Sequence, residues 1–308
     1  MESPQAIQAR RRAVQNIGQI TKAMEVVSAT KMRKAQEVAL NSRPYAWKAL
    51  ELLRKIKEHS TIALPLTAPR DVKKTLLVVI SSDRGLAGSF NSQVFRGTDE
   101  FLKIRARENV SCVVVGKKAL AYAKKKGLTV VKSFTGVGDY VLPSEVSPIV
   151  SLLVQGFERG DFDEVITIST HFRTTLKQEV LTRQILPVDI ERIWEALDAM
   201  IPEHGRYAEF RGVRPGEEKA REEVEYIFEP SPEEALKALV PHLVETQIYD
   251  LILEANASEH SARRVAMKNA SDNADELKDG LTLSYNKARQ ASITNELIEI
   301  TSTQNALA

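Results

Sequence analysis

The chain has 308 residues, of which 43% are hydrophobic, 27% charged and only 6% aromatic, with a formal net charge of +2. So few Phe, Tyr and Trp suit a thin structure of long helices better than a thick globular core. The single cysteine, Cys112, excludes an internal disulfide and fits a reducing compartment.

No stretch approaches the ~20 apolar residues that span a bilayer, and the N-terminus lacks the apolar core of a signal peptide. The expectation is a soluble intracellular protein that can still dock on a membrane complex. The small net charge hides a division. Residues 1–60 carry 12 Lys/Arg against 5 Asp/Glu, whereas residues 231–308 carry 7 against 12. Ends of opposite sign suit segments that lie side by side.

Residues 1–60 read as one long helix. Its only glycine is Gly18, and Pro44 is the only proline after Pro4. From Ser28, small or apolar residues fall at 28, 32, 35, 39, 42, 46, 49, 53 and 56. That is the 3.5-residue period of a coiled-coil seam. Ile17, Ile20, Met24 and Val27 keep three-four spacing before it, on a slightly rotated stripe. Pro44 is expected to kink the helix without ending it.

Residues 61–230 differ. "TLLVVI" (75–80), "VSCVVVG" (110–116), "TVVKSF" (129–134) and "EVITIST" (164–170) are β-branched apolar runs of strand length. Helical stretches at 91–108, 117–126 and 147–159 separate them, which predicts a small parallel sheet with helices packed on it. "LKQEVLTRQILP", after Phe172, reads as a further strand, antiparallel at one edge. Residues 190–222, rich in charge, Gly and Pro, read as a surface insertion.

The last segment, 231–308, opens with Ser231 as N-cap, Pro232 at the first helical position and Glu234 completing a capping box. After Pro241 it has no proline and only Gly280, and Ile293, Leu297, Ile300, Gln304 and Leu307 continue the four-three spacing. As helices, 231–305 and 4–58 would span roughly 110 Å and 80 Å. The expected architecture is an antiparallel coiled coil of the two terminal helices with a small α/β domain inserted between them.

"SSDRGLAGSFN" (81–91) has the strand–glycine turn–helix pattern of a phosphate loop. It lacks the Gly-Lys-Ser/Thr of a P-loop, and Gly85 and Gly88 make only a G-x-x-G. The plainer reading is a tight turn allowed by the two glycines, with Asn91 or Ser89 capping the helix. Asp83 and Arg84 read as a local ion pair, and "TGVGD" (135–139) as another glycine turn in which Asp139 alone carries no mechanism. The histidines (59, 171, 204, 242, 260) lack metal spacing. Cys112, inside an apolar run, reads as a buried structural thiol. No catalytic constellation, cofactor site or metal site is expected. The basic runs "QARRR" (8–12) and "KMRK" (31–34) suit a solvated face or an acidic protein partner better than nucleic acid.

Four segments, "IGQITKAMEVVSATKMRKAQ" (17–36), "SSDRGLAGSFN", "TGVGD" and "ASEHSARRVAMKNASDNADELKDGLTLSYNKARQASITNELIEI" (257–300), closely resemble the gamma subunit family of F-type ATP synthases. The resemblance runs in order along nearly the whole chain, interrupted around 190–222. It implies a non-catalytic central rotor shaft. Its terminal helices would stand in a ring of alpha and beta subunits, and its Rossmann-like α/β domain would sit at the foot against the epsilon subunit and the c-ring. Location would be peripheral, on the cytoplasmic face of the cell membrane, with membrane contact only through the membrane sector.

By the same resemblance, Met24 faces an acidic beta segment with Lys22, Lys31 and Arg33 nearby. Arg289 and Gln290 form a catch on a beta loop. Ile293, Leu297 and Ile300 lie in the tip, which extends to Leu307 and turns in an apolar collar. Thr303 and Gln304 depart from the family's Gly-Ala. The "DRGL" turn is structural in this family and binds no nucleotide. A lone Cys112 argues against the thiol regulation of the chloroplast form. The rival readings are a coiled-coil nucleic-acid-binding protein with an α/β platform, and a nucleotide-dependent enzyme using the glycine turn.

Overall fold

The computed structural model describes residues 3–59, 66–189 and 229–307. The chain divides into two compact units, Met1–Ala29 with Arg263–Ala308, and Thr30–Ala262. Two long helices, α1 (Pro4–His59) and α5 (Pro232–Leu307), contribute to both. The expected insertion at 190–222 lies outside the described residues.

The larger unit holds a five-stranded sheet in the order β3-β2-β1-β4-β5. The strands are β1 (Thr75–Ile80), β2 (Val110–Val115), β3 (Thr129–Phe134), β4 (Glu164–Phe172) and β5 (Gln178–Leu186). β1 pairs in parallel with β2 and β4, and β2 with β3. β5 runs antiparallel to β4 at the edge, from Val165↔Leu186 to Phe172↔Gln178. Three helices complete the crossovers: α2 (Phe90–Ile104), α3 (Lys117–Lys126) and α4 (Pro143–Arg159).

β1 is buried along its whole length because both faces of the sheet are covered. On one face α2 and α3 pack Val94, Leu102, Ala119 and Ala123 against Leu77, Val79, Cys112 and Val114. On the other, Ile149, Leu153 and Phe157 of α4 join Leu53 and Ile56 of α1 and Val240 to Leu253 of α5 over Leu76, Val78 and Ile80. Cys112 is fully buried, and burial pushes its thiol up to about 11.

Two helix boundaries differ from those expected. α4 starts at Pro143, where proline fits the first turn and Glu145 Oε2 accepts the Leu142 N–H at 2.8 Å. Pro148, near the start of the expected helix at 147–159, lies in the interior of α4. α2 stops at Ile104, and residues 107–109 form a separate 3₁₀ turn. At the start of α5, Ser231 Oγ accepts the Glu234 N–H at 3.3 Å, the cap that the sequence indicates.

In the smaller unit, α1 and α5 run antiparallel: Thr21 Oγ1 meets Ser271 Oγ at 2.7 Å, and Arg11 stacks 5.4 Å over the Tyr285 ring. A Cβ at Gly18 would sit 3.4 Å from that of Ala274, so the helices approach closely there. The inward positions of α1 are Ile7, Arg11, Val14, Gly18, Thr21, Glu25 and Ser28; those of α5 include Met267, Ser271, Ala274, Lys278 and Leu281. Both sets step by four and three, the coiled-coil spacing. Along α1 the same phase continues within the larger unit through Met32, Ala35, Ala39, Ala49, Leu53 and Ile56.

The seam in the smaller unit therefore does not follow Ile17, Ile20, Met24 and Val27. Ile17, Ile20 and Val27 are exposed by 54%, 61% and 51%, and Met24 is half-buried. Small and polar residues share the pairing with Ile7, Val14, Met267 and Leu281, and the apolar stripe faces away from α5.

Candidate functional site

The turn after β1 meets the start of α3. A helix N-terminus presents unpaired N–H groups that favour an anion. At α3 those groups are already taken. Asp83 Oδ1 accepts the Lys117 N–H at 2.8 Å, the Ser82 carbonyl accepts the Lys118 N–H at 3.0 Å, and Ser81 Oγ accepts the Ala119 N–H at 2.7 Å. The close approach requires glycine at 116: φ is +96°, and a Cβ there would lie 2.3 Å from the Ser81 carbonyl oxygen.

So "SSD" caps α3 rather than α2, the helix that follows it in sequence. The Asp83 carboxylate is aimed at backbone amides rather than at Arg84, because two N–H groups converge on it: its other oxygen accepts the Gly136 N–H at 2.7 Å. Asn91 does not cap α2 but accepts the Ser82 N–H at 3.2 Å, and Ser89 occupies the N-cap position with its hydroxyl accepting from Gln93 Nε2 at 3.1 Å instead of from the helix backbone. Within the turn, positive φ falls at Leu86 and Gly88, not at Gly85.

The residues with an outward role expected by resemblance lie on the long helices. In the smaller unit Lys22 is exposed, donates to Glu25 at 2.9 Å and lies near Asp272 and Asp275. Its hydrogen bond, with Arg264 and Lys268 nearby, holds the Glu25 carboxyl below its ordinary value against the opposing effect of burial. Opposite charges therefore do face each other across the pair. Arg289 and Gln290 are both exposed. Ile293, Leu297 and Ile300 are exposed by 49%, 57% and 62%. They lie beyond Ser292, where the inward spacing of α5 stops. The side chains of Thr303, Gln304 and Leu307 lie outside those described.

In the larger unit Arg33 is exposed, but Lys31 is engaged: its Nζ donates to Asp139 Oδ2. Asp139 Oδ1 lies 2.8 Å from Nε2 of His260, which is almost fully buried. Burial pushes the Asp139 carboxyl up, but the Lys31 hydrogen bond and the His260 charge outweigh it and hold it below its ordinary value. A second histidine is also paired. His171, buried on β4, lies 3.1 Å from both oxygens of Glu254 on α5, and Arg183 on β5 reaches the same carboxylate at 3.4 Å.

Sequence spacing could not reveal these clusters, in which contacts of α1 and α5 with the loop after β3, with β4 and with β5 reach across 71 to 121 residues. The one available signal was the run of polar residues Asp250, Glu254, Ser258 and Ser261 on one side of α5, all buried. Among the described residues, no group of His, Cys, Asp and Glu could hold a metal ion, and no helix is long and apolar enough to cross a membrane.

A family profile described as ATP synthase matches residues 3–307. The ATP synthase gamma chain of Roseiflexus castenholzii is 39% identical over 313 residues, covering 100% of this chain and 99% of that one. The gamma chain of Moorella thermoacetica is 38% identical, covering 97% and 96%. A chain from the central stalk and c-ring of the Tetrahymena thermophila mitochondrial ATP synthase is similar over 82% of this chain and 99% of its own, at 25% identity and a TM-score of 0.58. A chain from the Euglena gracilis mitochondrial ATP synthase matches over 99% and 94% with a TM-score of 0.63; at 18% identity it speaks to fold alone.

Proposed function

The chain belongs to the family of ATP synthase gamma chains, and we propose that it is the central-stalk rotor of its complex, coupling ion-driven rotation to ATP synthesis and hydrolysis on neighbouring subunits. Its helices turn within a ring of alpha and beta subunits, and its α/β domain meets the epsilon subunit and the c-ring. Catalysis belongs to beta. The chain sits peripherally at the cytoplasmic face of the membrane, held there by the membrane sector.

One observation carries this reading: the apolar stripe Ile17, Ile20, Val27 and the exposed Ile293, Leu297 and Ile300 are not used for pairing α1 with α5. Helices that bring Gly18, Thr21, Ser271 and Ala274 together at their contact and turn isoleucines outward are built to be covered by something else. Met24 belongs to the first stripe and Lys22 lies between its members, and Arg289 and Gln290 precede the second. Adjacent helix positions diverge by about 100°, so the exposed Arg289–Gln290 pair presents two donors over a wide arc. Arg33 adds positive charge toward an acidic partner segment.

Coupling follows from asymmetry. Different faces of the shaft meet chemically identical beta subunits, and a face that contacts one beta conformation better than another shifts that subunit's population and its nucleotide affinity. Rotation then changes those affinities in turn. No comparison supports nucleic-acid binding. Co-purification tests the assignment: a tagged copy of the chain should bring down alpha, beta and epsilon subunits, and recovery of nucleic acid without them would overturn it.

A further inference from the structure

In the rotor reading, force enters at the α/β domain and leaves through the long helices, so something must stop the helices turning or sliding against the sheet. Apolar packing over β1 is strong but non-directional. Resistance to slip needs directional contacts that engage both helices at once.

The loop between β3 and α4 has that geometry. At its start, Gly136 donates to Asp83, whose other oxygen accepts the Lys117 N–H, so the loop is tied to the ends of β1 and β2. Three residues on, Asp139 accepts from Lys31 of α1 with one oxygen and meets His260 of α5 with the other. Beside it, Asn256 of α5 donates to the Gly138 carbonyl at 3.1 Å. The Lys31 and Asp139 side chains are only 26% and 36% exposed, and that of His260 is 4% exposed. Such partly buried, charge-assisted bonds are shorter and stronger than neutral ones. In sequence, Lys31 and His260 lie one and two residues from the limits of the larger unit, Thr30 and Ala262.

We propose that the 135–139 loop is a torque clamp, with Asp139 as a positioning residue that pins α1 and α5 together to the sheet. The inference rests on the rotor reading. The clamp bears load only when the membrane sector resists rotation. Turnover by a ring of alpha and beta around the chain alone needs no force through the α/β domain.

The test uses the complete complex in liposomes with Asp139→Ala, Lys31→Met and the double variant, measuring ATP hydrolysis and ATP-driven ion pumping together. For Asp139→Ala the expected result is unchanged hydrolysis in the detached head and at least a fivefold fall in ions pumped per ATP in the liposomes. The double variant should be no worse than Asp139→Ala, which already removes the contact that Lys31→Met breaks. A merely structural role would instead lower both rates in proportion to lost complex. A wild-type ratio of pumping to hydrolysis in Asp139→Ala overturns the clamp while leaving the rotor reading intact. A wild-type chain that supports no pumping overturns both. Should Asp139→Ala not assemble, Lys31→Met, which keeps the His260 contact, decides the matter on the same ratio.

Discussion

Replacing Ile17 and Ile20 together by serine separates an outward stripe from a coiled-coil seam. Serine and isoleucine have similar helix propensities, so the helix itself is little disturbed. Were these residues inside the seam, each truncation would cost about 2–5 kcal/mol of stability. They are 54% and 61% exposed, and the expected change in the stability of the isolated chain is below about 0.5 kcal/mol each. In the complex the balance reverses. Fully burying an isoleucine side chain contributes about 1.5–3 kcal/mol, and a little over half of each side chain remains to be covered. The pair should therefore contribute about 2–3 kcal/mol to holding the ring, or about 30- to 150-fold in affinity. The assay is competition between tagged wild-type and variant chains for limiting alpha and beta subunits, beside urea unfolding of each chain. Leu281→Ala, inside the seam, serves as the contrast and should destabilise the isolated chain by about 2 kcal/mol. Equal competition by the Ile17/Ile20 variant, or a stability loss as large as that of Leu281→Ala, would refute the outward assignment.

Three further outcomes are expected. Arg289→Ala with Gln290→Ala should leave folding and assembly intact, both side chains being exposed, yet slow ATP turnover by the assembled complex; steady-state rates beside wild type decide it. Asp163 is held below its ordinary value chiefly by the Lys74 N–H, joined by that of Lys73 and opposed by burial. A depressed carboxylate stabilises the fold in full above its unfolded value near 3.8, and that contribution disappears as pH falls through the lower folded value. Asp163→Asn should thus flatten the acid limb of the stability curve below about pH 4, as read by urea unfolding at stepped pH. Cys112, buried with a thiol pushed up to about 11, should react with a thiol reagent only when the chain is unfolded, so fast labelling of native protein would contradict its placement in the core.

The sheet was legible because its strands are β-branched runs of strand length: β1, buried along its whole length, and β3, a largely exposed edge strand, occupy the residues that "TLLVVI" and "TVVKSF" mark, and α3 those between Gly116 and Gly127. The α1 seam from Ser28 onward was legible for the same reason, since Leu53 and Ile56 bury against the chain's own core. It failed before Ser28 because apolar periodicity records total burial, including burial by partners. In the rotor reading Ile17 and Ile20 are kept for a partner, while Gly18, Thr21 and Ser271 make the internal contact through closeness and a hydroxyl pair. The clamp was illegible for another reason. An aspartate after a glycine turn looks ordinary until residues 108 and 121 positions away arrive beside it.

Single-molecule rotation tests the central claim most directly. A ring of alpha and beta subunits is fixed to glass, this chain is placed at its axis, and a bead is attached to the chain through a cysteine at exposed Lys124, with buried Cys112 left in place. The account predicts ATP-dependent rotation in one direction, stopping when ATP is withdrawn. A stable complex that hydrolyses ATP while the bead shows only undirected motion would contradict it.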